Sequence, residues 1–256
     1  TSDIGVMGDQ ELDRVTREEF GEEEEAMDKA LGEMEEWIDS QPHFVNTKRD
    51  RHWLRSADTF RERSVLLKIL CRVFYRGCDY KMDVFKEKCD LFYTVRSVLP
   101  AWFDDWSPGL ESVRTVLEAG FILPVRGYDK QGRVVILVRQ SRVDPAIIDI
   151  DTVYKTFLMV FTLIMEANKQ AYLRGYVIIS DQADVGLRHA MMMTPSLIKK
   201  HMVVFQDSYP MDNQILIKSS NLFIINMPSL LQRFLNMFTA ALDEKYKNII
   251  LGFWFK

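Results

Sequence analysis

Ser180, His201 and Tyr209 are the side chains from which a nucleophile and a base could be drawn in this chain, and they are scattered in sequence. Group transfer needs such residues within hydrogen-bond reach of one another, held by a turn or a motif. The chain has no GxSxG, no GxxxxGKS/T and no GxGxxG, so the common hydrolase, nucleotide and dinucleotide signatures are absent. Asp181 follows a predicted buried strand, where open α/β sheets can carry catalysis. Its simpler role is to bond backbone at a strand–helix turn. His43, His52, His189 and His201 form neither HExxH nor a Cys/His metal spacing, so no metal and no cofactor is expected. A lone histidine beside apolar helices is read as structural, or as a hydrogen-bond donor to a ligand. Cys71, Cys78 and Cys89 lie in one predicted helical region without CxxC spacing and are read as reduced packing thiols. The reading is a non-enzymatic protein.

The apolar residues are more informative. They make up 47% of the 256 residues, enough for a sizeable core in one large or two smaller domains. Tyr154, Phe157, Leu158, Phe161 and Met165 recur on one helical face, and Leu231, Phe234, Leu235, Phe238 and Leu242 form a second stripe. Nine of the thirteen methionines fall between Met159 and Met237. Methionine adapts to irregular apolar shapes. Ordinary core and the lining of an oily pocket are both compatible with this pattern. The polar, acidic start carries no signal-peptide pattern. The longest apolar stretch, 157–165, is far short of the ~20 residues that span a bilayer. A soluble cytoplasmic protein is the expectation. The net charge of −4 conceals an asymmetry: residues 1–40 carry −12 and the remainder +8. Such a body favours anionic lipid surfaces, or is simply a solvated exterior.

These residues need elements to position them. Residues 1–9 read as disordered, and acidic residues at a helix start predict a helix over 16–38, stopped by Gln41 and Pro42. The 22–25 glutamate run reads as a solvated face. Asp58 caps a predicted second helix broken at Gly77, and a third runs over 80–99 to Pro100. Beyond Pro108 the pattern changes. Segments 121–128 and 133–139 flank the polar loop Asp129, Lys130, Gln131, Gly132 and predict a hairpin. The unalternating run 134–138 predicts a strand covered on both faces. A long helix over 149–173, a strand over 176–180, a helix capped by Thr194 and opened by Pro195, and a strand over 222–225 follow. Pro228 opens a further helix through Phe238, and 248–255 predicts a last strand. The fold class is α/β: a helical N-terminal module over 1–105, then a mostly parallel sheet flanked by helices over 106–256.

Several short segments carry a family resemblance. They are Phe74-Tyr75-Arg76-Gly77-Cys78-Asp79-Tyr80, Lys86-Glu87-Lys88, Tyr93-Thr94-Val95-Arg96, residues 129–133 and 175–181, Thr194-Pro195, Gln206-Asp207-Ser208-Tyr209-Pro210 and Ile225-Asn226-Met227-Pro228. In this order, and over nearly the whole chain, they resemble the CRAL-TRIO lipid-binding family and its alpha-tocopherol transfer and retinaldehyde-binding branch. The resemblance implies an apolar pocket between the sheet and a mobile gate helix. By position, the gate runs over 229–242, with Leu231, Phe234, Leu235, Phe238 and Leu242 facing ligand. Tyr154, Phe157, Leu158 and Phe161 are implied on the long helix. Ser180, Met193, His201, Val204, Phe205, Tyr209 and Met211 complete the implied wall.

The chain departs from the family in three places. The segment between Pro210 and Asn226 is longer than usual. The gate's Lys-Pro-Phe-Leu ending reads Thr239-Ala240-Ala241-Leu242. Basic residues that hold a phosphoinositide headgroup in tocopherol transfer members are replaced by Cys78, Glu87, Asp212 and Gln214. Lys199, Lys200, Lys218, Lys245 and Lys247 supply general membrane attraction instead. The implied function is intracellular binding and transfer of a tocopherol-, retinoid- or carotenoid-like lipophile between membranes. Its expected partners are that ligand and a transient membrane surface, with no nucleic acid. A phospholipid or phosphoinositide exchanger and a ligand-free signalling adaptor are the competing readings.

Overall fold

The computed structural model describes residues 14–18, 21–41, 74–208, 221–231, 236, 240 and 250–252. Expectations for residues 1–9, for the helix capped by Asp58 and for Cys71 therefore lie outside the described residues.

Among the described residues, the helices α1 (Glu24–Ser40), α2 (Met82–Val98), α3 (Pro100–Phe103) and α4 (Glu111–Glu118) precede the sheet, besides helical turns at 14–18 and 74–77. The helix expected over 16–38 is divided. Residues 14–18 are helical, Gly21 takes φ +63°, and α1 begins afresh at Glu24. A left-handed turn of that kind costs glycine least. The helical segment before α2 stops at Gly77, as expected. Residues 74–77 are helical, and the chain reverses two residues later, where Asp79 and Tyr80 adopt φ 50° and 57°. Pro100 ends α2 and also opens α3, since a first-turn residue needs no amide proton.

Among the described residues the sheet has five strands, in the order β1 (Ile122–Tyr128), β2 (Val134–Arg139), β3 (Tyr176–Asp181), β4 (Asn221–Ile225) and β5 (Ile250–Gly252). β1 and β2 pair antiparallel; every later pair is parallel. The expected hairpin is present. Asp129 Oδ1 accepts the backbone N–H of Gln131 and of Arg133, each at 2.9 Å, and Gly132 supplies φ 78°. Burial disfavours the Asp129 carboxylate. Hydrogen bonds from the Arg133 side chain and these amides outweigh that and hold its pKa below the usual range.

β2 is not equally covered on its two faces. Val134, Ile136 and Val138 are buried, while Val135 and Leu137 are half-buried. The buried row packs with Phe161, Val153 and Tyr176 beneath α5 (Ile150–Ala167). The single helix expected over 149–173 is two, because Asn168 leaves helical geometry (φ −130°, ψ 88°) before α6 (Lys169–Arg174). Its carboxamide trades hydrogen bonds with the Tyr128 hydroxyl at 3.1 and 3.3 Å, drawing asparagine out of a conformation it already disfavours.

After β3 come α7 (Leu187–Met192) and α8 (Pro195–Met202). Thr194 caps α8 as expected, its hydroxyl accepting the Leu197 N–H at 3.1 Å. α8 then widens into a π-helical stretch, Val203–Ser208, packed against α2. Beyond β4, Ser229–Leu231 form a 3-10 turn. Most of the expected gate lies outside the described residues. No helix among the described residues is long and apolar enough to cross a membrane.

One hydrophobic cluster joins the N-terminal helices to the α/β layer. It unites Met34, Phe85, Phe92 and Trp102 with Leu158, Leu197 and Val204. Arg76 and Glu22 brace its edge. Arg76 Nε donates to Glu22 Oε1 at 2.6 Å and its Nη2 donates to Oε2 at 3.0 Å, both side chains being 5% exposed. Tyr80 Oη donates to the same carboxylate at 2.8 Å. Burial and that carboxylate together hold the Tyr80 phenol protonated well above its usual range. Glu22 is thus no part of a solvated face, because a guanidinium fork replaces its water.

Candidate functional site

α5 is the element that presents the expected ligand-facing residues. Its apolar stripe recurs at helical spacing, so one turn faces the sheet and the N-terminal cluster in succession. Tyr154 stacks on Trp102, with ring centroids 4.2 Å apart and planes 2° apart. Phe157 stacks on Phe161 at 5.9 Å, and Phe161 meets Tyr176 of β3 edge-on at 5.1 Å. From α8 and its π extension, His201 and Phe205 close the group. Their rings lie 4.5 Å apart, and Phe205 meets Phe157 at 5.7 Å. Leu158 and Val204 are fully buried in the same neighbourhood, and Met193 packs against it. The π-helix matters here. Phe205 lies within it and meets Tyr154 and Phe157 of α5, and π-helical turns concentrate at functional sites.

The structure therefore brings Tyr154, Phe157, Leu158, Phe161, Met193, His201, Val204 and Phe205 together in the packing between α5, α8 and its π extension. Ser180 and Leu231 belong to other neighbourhoods. Ser180 lies at the C-terminal edge of β3, hydrogen-bonded to glutamine side chains. Leu231 packs with Val185, Ala190 and Met227 beside α7. Tyr209, Met211, Phe234, Leu235, Phe238 and Leu242 lie outside the described residues.

Within the aromatic surface stands one polar pair. Tyr154 Oη and His201 Nδ1 are 3.0 Å apart. Burial drives the Tyr154 phenol up and the His201 imidazole down to about 4, so both are neutral at physiological pH. Trp102, which the sequence did not single out, positions Tyr154 from behind. Its Nε1–H donates to Asp151 Oδ1 at 2.6 Å. The signal was a tryptophan just after the helix-opening Pro100; its partner forty-nine residues on was invisible.

The burial of neutral His201 has a measurable consequence. An unfolded chain binds a proton on this histidine near pH 6.5, whereas the folded chain resists until about pH 4. The stabilisation is complete above 6.5 and is lost progressively as pH falls through that window. At ~1.4 kcal/mol per pKa unit, on the order of 3 kcal/mol is at stake. Urea denaturation across this range should show the wild type losing stability relative to His201→Leu as pH falls. Parallel pH curves for the two proteins would contradict the buried neutral state.

The other singled-out polar residues serve the scaffold. His189 Nδ1 accepts the Gly186 N–H at 3.3 Å, and its Nε2–H donates to the Val143 carbonyl at 3.0 Å. Asp181 Oδ1 accepts the Ala183 N–H at 3.0 Å and Asn226 Nδ2–H at 2.8 Å, the backbone-bonding role expected of it. Cys78 and Cys89 are buried in the cluster that joins the N-terminal helices to the α/β layer.

Among the described residues, a sheet of strands in sequential order is flanked by helices that carry the aromatic group. The family model described as the CRAL/TRIO domain matches residues 118–251, just over half of the chain, and the chain belongs to the CRAL-TRIO family. Among curated proteins, the "Alpha-tocopherol transfer protein-like" proteins of Homo sapiens and Pongo abelii are each 24% identical to it over 176 residues. That match covers 68% of this chain and 48% of each relative, so the chain spans about half the length of the relatives it matches.

Proposed function

We propose that this protein binds one small lipophilic molecule and passes it between membranes without altering it. The observation that carries the reading is the aromatic surface of Tyr154, Phe157, Phe161, His201 and Phe205, whose one polar pair is neutral. Such a wall suits an isoprenoid tail, at roughly 25 cal/mol per Å² of apolar area buried. A tocopherol-, retinoid- or carotenoid-like ligand fits this chemistry. Membership of the CRAL-TRIO family and the likeness to alpha-tocopherol transfer protein-like proteins support the same class.

In this reading residues 1–105 brace the α/β domain and residues 106–256 hold the ligand, with 229–242 as the gate. Tyr209, Met211, Phe234, Leu235, Phe238 and Leu242 complete the wall, with Ser180 extending it from the end of β3 and Leu231 from beside α7. Support for a non-enzymatic role comes from the polar partners. Ser180 is bonded to glutamines and His201 to a tyrosine, so neither forms a nucleophile–base pair with the other. Support for membrane contact comes from α7, which packs on Leu231 and holds Leu187 and Met191 54% and 67% exposed. Cations at this edge and on α8, Arg188, Lys199 and Lys200, add general attraction to anionic lipid. The proposed place of work is the cytoplasmic face of membranes, where thiols such as Cys78 and Cys89 stay reduced.

Organic extraction of the protein purified from cells, followed by mass spectrometry, tests the reading. A single neutral lipophile in near-stoichiometric amount is the expected result. Phosphatidylcholine or a phosphoinositide as the dominant species would refute it in favour of phospholipid exchange, and no retained lipid would favour an adaptor.

A further inference from the structure

We propose that Met191 is an oxidation site through which a hydroperoxide carried in a membrane controls the protein's hold on that membrane. The proposal rests on the carrier reading above, because it assigns a regulation to the membrane contact of α7. Among the described side chains Met191 is the exposed methionine, at 67%. Met27, Met34, Met159 and Met202 are buried, and the other described methionine side chains are half-buried. An oxidant arriving from outside therefore reaches this thioether first. α7 holds the sulfur outward. Leu187 and Met191 stand one helical turn apart, so they share a face, and both are exposed. The opposite face is pinned. Ala190 is buried against Val185 and Leu231, and His189 Nε2–H donates to the Val143 carbonyl at 3.0 Å. The helix cannot roll to hide the exposed pair without breaking these contacts. Arg188, between the two in sequence, is exposed and supplies the charge that an anionic lipid surface attracts.

The step is an oxygen transfer. The Met191 sulfur attacks the terminal oxygen of the hydroperoxide. An S–O bond forms as the O–O bond breaks, and the hydroperoxide proton passes to the departing alkoxide, which leaves as an alcohol. Sulfur gives up two electrons and the peroxide takes them. The product is methionine sulfoxide, a polar and chiral side chain in place of an apolar one. Leu187 is then the apolar residue left on that face of α7, and the helix loses the amphipathic character that holds it at a lipid interface. A source in the membrane is favoured over one in solution. The face that meets lipid is the face that bears the sulfur, so attachment itself brings oxidant and thioether together.

The test uses the full chain, vesicles of phosphatidylcholine and phosphatidylserine, and two oxidants: hydrogen peroxide in solution and phosphatidylcholine hydroperoxide carried in the vesicles. Peptide mass mapping follows which methionine gains one oxygen, and vesicle flotation measures attachment before and after. Met191 should be oxidised ahead of the buried and half-buried methionines, and at a lower dose of the vesicle-borne hydroperoxide than of the dissolved peroxide. Attachment of the oxidised wild type should fall roughly tenfold, the factor for losing one buried apolar side chain. Treatment with a methionine sulfoxide reductase should restore it. Met191→Leu, compared with its own untreated value, should attach equally with and without oxidant. Met191→Gln should attach weakly before any oxidant is added. Loss of attachment on oxidising Met191→Leu overturns the proposal, as does a Met191 slower to oxidise than the buried methionines, or wild-type attachment by Met191→Gln. Oxidation by the dissolved peroxide alone overturns the membrane source. Failure of the untreated wild type to attach sinks the membrane contact of the carrier reading and the switch with it. Attachment that persists once Met191 is fully oxidised sinks the switch alone.

Discussion

Trp102→Ala should cost about 3–5 kcal/mol of unfolding free energy, the range for deleting a fully buried aromatic side chain. Trp102 has no exposed surface and sits in the cluster that joins the N-terminal helices to Leu158 and Val204. Its loss would leave a cavity behind Tyr154, deprive the Asp151 carboxylate of its indole donor and unseat the ring that presents the Tyr154 hydroxyl to His201. Trp102→Phe should retain most of the stacking area and cost only the hydrogen bond, about 1–2 kcal/mol. Urea denaturation of both variants measures the stability difference. Ligand affinity should fall with Trp102→Ala more than with Trp102→Phe, because the aromatic wall is displaced only in the first. A cost under ~1.5 kcal/mol for the alanine variant would show that the two layers are held together elsewhere.

Glu22→Ala should be comparably damaging, at about 3–5 kcal/mol, for a different reason. The Arg76 guanidinium is 5% exposed and its bidentate carboxylate would be gone, leaving a desolvated cation beside the cluster. The cost belongs mainly to that cation. Glu22→Ala combined with Arg76→Met should therefore recover a large part of it, since methionine fills much of the arginine's volume and leaves no buried charge to compensate. The contact should also resist salt, being screened from solvent. The neighbouring Glu33–Lys86 pair, with side chains 52% and 25% exposed, should contribute no more than ~1 kcal/mol and fade with salt. Denaturation of the two single variants and the double variant at low and high salt measures all of these. A double variant as unstable as Glu22→Ala would mean that Glu22 acts through something other than the buried charge.

The sequence by itself determined the features written in contiguous residues. The turn at 129–133 forms because Asp129 can bond amides two and four residues ahead and Gly132 can take a positive φ. α8 starts at Pro195 because Thr194 reaches Leu197 within one turn. The strands over 176–180 and 222–225 are legible from short apolar runs between turn signals. The aromatic face of α5 follows from helical spacing alone, and the family from the order of short motifs along the chain.

Only the tertiary structure decided which distant residues became partners. Asn168 ends α5 because Tyr128, forty residues earlier, reaches it across the sheet. Glu22 reads as one of four solvated glutamates until Arg76, fifty-four residues on, folds over it. Gln140 and Gln182 carry no signal in sequence. They converge on Ser180 because the parallel register of β2 and β3 sets Val138 beside it and brings both strand ends to one edge. Caps and turns obey local geometry, so a short stretch of chain specifies them. Pairings across a sheet or between packed helices depend on register and docking, which the whole core fixes together.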